Sequence, residues 1–199
     1  MKIEEPDLAG TYTYADYLTW QWGEMTELIQ GKIFKMSPAP GSLHQQVSGE
    51  LFRQVANFLK SKKCKVFSAP FDVRLPSPHK NKTDQEIITV VQPDLCVVCD
   101  PTKIDERGCV GAPDWIIEIL SKYTSSKDLN VKFDVYEAAG VQEYWVVHPS
   151  EQTVLVYTLD KQGKYTGRLK PFVRPDSVSP MLFPGLSISL EQVFSEGEI

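Results

Sequence analysis

The chain has 199 residues, a formal net charge of -5, 42% hydrophobic and 24% charged residues. This is the balance of a soluble globular protein of one domain, long enough to bury about 70% of its unfolded surface without a disulfide or metal staple, and it excludes disorder, collagen and coiled coil. No apolar run approaches the roughly 18 residues of a membrane span, and the opening MKIEEPDLAG carries acids and a proline where a signal peptide has a basic and then an apolar stretch. A cytoplasmic protein with no membrane partner is therefore expected.

In chain order, TYADYLTW predicts a short helix opening near Thr13, and MTELIQGKIFKMS predicts two strands turning at Gln30-Gly31. PAPGS breaks the chain. From Ser42, Leu43, Val47, Leu51, Val55 and Leu59 recur every four residues, which predicts a helix of about five turns ending in a lysine cluster. KVFSAPFDVRL reads as a strand and PSPHKNKTDQE as a polar loop. IITVVQPDLCVV and DWIIEIL read as strands joined by DPTKIDERGCVGAP, an extended hairpin loop. SKYTSSKDLNVKFDVYEAAG predicts a helix capped by Ser125 or Ser126 and ended by Gly140. EYWVVH and TVLVYTL are further strands, and DKQGKYTG turns into a last, basic strand. Helices inserted among strands predict an α/β layer arrangement. Its core spans about 42–149, with β elements added at both ends of a single domain, 1–199.

Of the four cysteines, Cys96 and Cys99 have C-x-x-C spacing, but in a strand residues three apart point to opposite faces. All four, with Cys64 and Cys109, are therefore expected to be small buried hydrophobes rather than zinc or redox ligands. The net acidity resides at the ends: residues 32–190 hold 17 acids against 20 bases. Within that stretch Lys60, Lys62, Lys63 and Lys65 form one cluster. Lys161, Lys164, Arg168, Lys170 and Arg174 form another with no acid among them. Taken alone, such runs are commonly solvated faces.

Glu118 is the most informative residue. It lies inside WIIEIL on a strand expected to be buried, where a carboxylate costs several kcal/mol unless it is paired, hydrogen-bonded or bound to a cation. Asp94 follows Pro93 on the preceding strand, at a bend that would bring it to Glu118. Two such carboxylates repel unless a cation joins them, and hard oxygen ligands suit Mg²⁺. Lys132 lies on the following helix in an i, i+4, i+8 row with Asp128 and Tyr136. It is either a plain surface partner of Asp128 or the group that neutralises charge on a phosphate.

Proline-aspartate on one strand, a buried acid on the next and a nearby lysine resemble the PD-(D/E)XK nuclease superfamily, with its restriction-endonuclease-like fold. The pieces ELIQGKIFKMSPAP, His44, VQPDLCVV, DWIIEILS, 128–136 and AAGVQEYWVVHP more closely resemble the Uma-type restriction endonuclease family over about residues 11–190. The resemblance implies a central mixed sheet flanked by helices. It also implies Asp94, Glu118 and the Ile119 carbonyl as metal ligands, Mg²⁺ or Mn²⁺ as cofactor, and DNA as substrate. The superfamily lysine two residues after the acid is replaced by Leu120, and the resemblance implies its relocation to Lys132. Glu27 and His44 match family positions and are candidates for an additional ligand or proton carrier. Lys122 departs from the family's usual proline.

On this reading Asp94, Glu118 and Lys132 are catalytic. Lys60, Lys62, Lys63, Lys65, Lys161, Lys164 and Arg168 supply phosphate contacts. A homodimer follows only by analogy, since double-strand cleavage takes two sites. The competing expectation, supported by Leu120, is a nuclease fold that has lost catalysis and only binds nucleic acid or a protein. A glycosidase pair is disfavoured because no aromatic sugar platform accompanies the acids.

Overall fold

The structure is a computed structural model describing residues 7, 9–20, 26–35, 40–77, 82–121 and 126–195, of which 126–128 by backbone only. Helix α1 (Tyr14–Tyr17) opens on a capping box in which Thr13 and Asp16 satisfy each other's backbone N–H groups. Strands β1 (Thr26–Ile29) and β2 (Lys32–Lys35) form the expected hairpin. Its two turn residues, Gln30 and Gly31, both have positive φ, and a Cβ on Gly31 would meet Thr11 at 2.6 Å. Helix α2 (Ser42–Leu59) buries Val47, Leu51, Val55 and Leu59, while Leu43 in its first turn stays 45% exposed.

There follow β3 (Lys65–Ser68), β4 (Val73–Arg74), β5 (Val90–Val91), β6 (Leu95–Val98), a 3-10 turn at Pro101–Lys103, β7 (Ile104–Asp105), β8 (Gly108–Val110) and β9 (Trp115–Ile119). Helix α3 (Ser126–Ala139) then leads to β10 (Glu143–His148), β11 (Thr153–Leu159), β12 (Tyr165–Gly167), β13 (Phe172–Val173), β14 (Ser177–Val178), β15 (Ile188–Ser189) and α4 (Leu190–Val193). Gly140, at φ +83, ends α3 with paired bonds from Gly140 N–H to the Glu137 carbonyl and from Val141 N–H to the Tyr136 carbonyl. The chain therefore turns directly into β10.

The main sheet runs β12-β11-β10-β9-β6-β3, with β13 also paired to β11. A smaller sheet runs β2-β1-β5-β4-β8-β7. In the main sheet β9 and β10 are parallel, joined by the α3 crossover, and their other neighbours are antiparallel. The fold is thus a mixed α+β arrangement with a central mixed sheet, as expected. Alternation sorts its faces: Leu95, Val97, Trp115, Ile117, Ile119, Trp145 and Val147 pack in one core with residues of α2 and α4. Cys96, Val98, Ile116, Tyr144 and Val146 pack in a second core with α3 and residues of the smaller sheet.

Several expectations need correction. KVFSAPFDVRL is not one strand but β3 and β4, in different sheets, with Pro70 between them. IITVVQPDLCVV likewise divides into β5 and β6 around Pro93, because proline cannot donate to a ladder and the chain crosses layers there. The connector before β9 holds a 3-10 turn and the β7–β8 hairpin. TVLVYTL and the strand after it extend the central sheet rather than decorating it. The cap expected at Ser125 lies outside the described residues.

Cys64 and Cys99 form a disulfide, whereas Cys96 and Cys109 are free and buried as expected. The pair was missed because it depends on strand register: Lys65 opposes Val98, so the next positions outward, 64 and 99, face each other across β3 and β6. Closing a loop with a sequence separation of 35 stabilises the fold by about 3–4 kcal/mol through the unfolded state. A Cys64→Ser, Cys99→Ser variant is expected to unfold at correspondingly lower denaturant, coinciding with the reduced wild type. A midpoint equal to that of the oxidised wild type would contradict the bridge.

Candidate active site

The site begins with strand register. Between β6 and β9, Leu95 opposes Ile117 and Cys96 opposes Ile116, so one further step sets Asp94 opposite Glu118. Asp94 is held from both sides. Its Oδ2 accepts the Ile119 N–H at 2.7 Å, and its carbonyl accepts the Ala69 N–H at 3.1 Å. Alternation along β9 turns Ile116 and Glu118 toward α3, and Glu118 is buried, with 7% of its surface exposed.

Two residues one turn apart on α3 address the same oxygen of Glu118. Lys132 Nζ lies 3.0 Å from Oε1, and the Tyr136 hydroxyl donates to it at 2.6 Å. Oε2 receives no hydrogen bond among the described residues. Lys132 Nζ also lies 2.9 Å from Oε1 of Glu27, which arrives from β1 in the smaller sheet and is 4% exposed. The Gln92 N–H donates to that same Glu27 oxygen at 2.8 Å. On the other side, His44 of α2 brings Nε2 to 3.3 Å from Asp94 Oδ1. All five candidates, Glu27, His44, Asp94, Glu118 and Lys132, converge.

Glu118 and Glu27 share one ammonium, with Asp94 opposite Glu118 on the next strand, and the proton equilibria reflect it. Burial pushes Glu118 above the ordinary carboxylate range; Lys132 pulls it down, while Asp94 and Glu27 push it further up. Burial alone would lower Lys132, but Glu118 and Glu27 outweigh it and hold the ammonium protonated. Burial, the largest single influence, lowers His44, but the hydrogen bond and charge of Asp94, with the Ile119 backbone and Glu118, together raise it above its ordinary value. Burial beside Glu118 keeps Tyr136 as a neutral donor. Lys132 is therefore a cationic donor here, not a base.

The sequence profile described as "Putative restriction endonuclease", Uma2, matches residues 14–191. The chain belongs to the Uma2 family. A curated relative, the uncharacterized protein slr1290 of Synechocystis sp., is 24% identical over 153 residues, 75% of each chain. A crystal structure titled as a putative nuclease belonging to DUF820 from Anabaena variabilis superposes with a TM-score of 0.70 at 23% identity, covering 92% of this chain and 97% of that one. The fold is shared between the two.

Among the described residues no group of three or more His, Cys, Asp or Glu side chains is arranged to hold a metal. Two carboxylates and a backbone carbonyl nevertheless fit Mg²⁺, which commonly takes one or two carboxylates and keeps several waters. The fit rests on the two carboxylates that share Lys132, with Asp94 opposite Glu118, and on the Glu118 Oε2, which accepts no hydrogen bond among the described residues. Also among the described residues, no helix is long and apolar enough to cross a membrane.

The basic residues singled out in the sequence do not join this Uma2 site. Lys60, Lys62 and Lys63 follow the far end of α2, and Lys65 opposes Val98, about 13 Å along the strand from Asp94. Lys62 lies over the Phe58 ring at 4.4 Å. Lys161 and Lys164 lie in the β11–β12 hairpin, beyond the Glu143 end of β10. Glu143 is level with Trp115, four residues from Ile119. Lys164 pairs with Glu137 at 2.7 Å, and Arg168 lies over the Phe172 ring at 4.3 Å. Tyr136 and Gln92 were not recognised as site residues. For Tyr136 the i, i+4 spacing from Lys132 was the available signal.

Because its folded pKa is raised above the unfolded value, Glu118 withdraws stability as pH rises through the folded pKa. Glu118→Gln leaves Lys132 a one-to-one pair with Glu27. In metal-free melts it is expected to be at least as stable as wild type at pH 8, with the difference shrinking toward pH 5. A purely structural ion pair would instead cost about 3 kcal/mol on the same substitution.

Proposed function

We propose that this Uma2-family protein is a metal-dependent endonuclease that hydrolyses DNA phosphodiester bonds in the cytoplasm. The observation that carries the reading is Asp94 opposite Glu118 at a sheet end, with the Lys132 ammonium 3.0 Å from Glu118. Asp94, Glu118 and the Ile119 carbonyl would hold Mg²⁺ or Mn²⁺. When bound, such an ion lowers the pKa of a water and screens charge developing on the phosphate. Lys132 remains protonated throughout, so it donates to a phosphate oxygen and stabilises negative charge there. His44, against Asp94, is positioned to carry a proton at the rim. Glu27 holds Lys132.

The absence of lysine at position 120 favoured a degenerate fold in the sequence. Lys132 counts against that, because an ammonium reaches the buried acid from α3 instead. The basic clusters would add phosphate contacts away from the scissile bond. A homodimer would supply the second site needed to cut both strands.

The test is plasmid cleavage in Mg²⁺. Wild type is expected to nick or linearise the DNA, Asp94→Ala and Glu118→Gln to fall to background, and Lys132→Ala to lose roughly 100-fold. Cleavage that survives both carboxylate substitutions contradicts the assignment.

A further inference from the structure

Glu118 has two supports, and they differ in kind. Lys132 is shared with Glu27 and has a further role at the phosphate in the reading above. Tyr136 is fully buried, packs in the core between α3 and the main sheet, and gives its hydroxyl to Glu118 Oε1 at 2.6 Å. Its ring rests on Tyr144, with centroids 5.1 Å apart, and its carbonyl is tied by the Val141 N–H that ends α3. Of the two donors, Tyr136 is the one fixed by packing.

Resting on the nuclease reading, we propose that Tyr136 is the positioning residue for the metal ligand Glu118. By occupying Oε1 from a rigid support, it sets the carboxylate's rotation and leaves Oε2, which accepts no hydrogen bond among the described residues, for the cation. Carboxylate ligands depend on such outer hydrogen bonds, and losing one commonly weakens metal affinity by 10–100-fold. Tyr136 touches neither substrate nor cation. It acts through Glu118.

Tyr144 provides the control. Its hydroxyl is buried in the same aromatic cluster and has no hydrogen-bond partner among the described residues, so removing it alters that cluster without removing a hydrogen bond from Glu118. Mn²⁺ binding is measured by calorimetry on the full chain for wild type, Tyr136→Phe, Tyr144→Phe and Asp94→Ala, with metal-free melting temperatures alongside. Tyr136→Phe is expected to raise the Mn²⁺ dissociation constant roughly 10-fold while remaining folded, with its cleavage rate recovering at higher Mn²⁺. Tyr144→Phe should bind as wild type does.

Wild-type affinity in Tyr136→Phe, or an equal loss in Tyr144→Phe, overturns the assignment. If Asp94→Ala loses Mn²⁺ while Tyr136→Phe does not, only the Tyr136 role fails. If Asp94→Ala binds as wild type, the metal-site reading beneath it fails as well.

Discussion

The site depends on one constraint: two buried carboxylates, Glu27 and Glu118, share a single ammonium, Lys132, while a third acid, Asp94, stands opposite Glu118 on the next strand. Lys132 satisfies two of the acids at 2.9 and 3.0 Å, and Asp94 is left to backbone N–H and imidazole donors. A fold selected for stability alone would replace such a group with apolar side chains, since buried ion networks seldom repay their desolvation. On the proposed reading, the surplus of negative charge is where a cation would bind.

The architecture serves that convergence. Pro70 and Pro93 each interrupt a ladder where the chain passes between sheets. The second crossing places Asp94 at the end of β6, between β9 and β3 in the main sheet, and Gln92, two residues earlier, on Glu27. Glu27 and Lys132 therefore tie the smaller sheet to α3, and Glu118 ties both to the main sheet. Loosening any one of these layers would release Lys132 from part of its charge, so the integrity of the packing and the electrostatics of the site are the same problem.

Much of this was legible in the sequence for a physical reason. An acid inside an apolar strand is costly enough to stand out, which identified Glu118; the proline bend identified Asp94, and helical spacing together with the family resemblance identified Lys132. What was not legible depended on long-range register. Glu27 meets Lys132 across two layers, and no local pattern encodes that pairing. Cys64 and Cys99 face each other only once β3 is aligned on β6. The strands broken at Pro70 and Pro93 read as continuous because their apolar character continues into a different sheet. The lysine cluster, suggestive as a run of charge, follows α2 to its far end, away from the carboxylates that the same helix touches through His44.

The most direct test of the account is anomalous diffraction from crystals soaked in Mn²⁺. One peak is expected at the sheet end, contacted by carboxylate oxygens of Asp94 and Glu118 and by the Ile119 carbonyl, with Lys132 still on Glu27. A soaked crystal with no peak between Asp94 and Glu118, or with its manganese bound elsewhere, would contradict it.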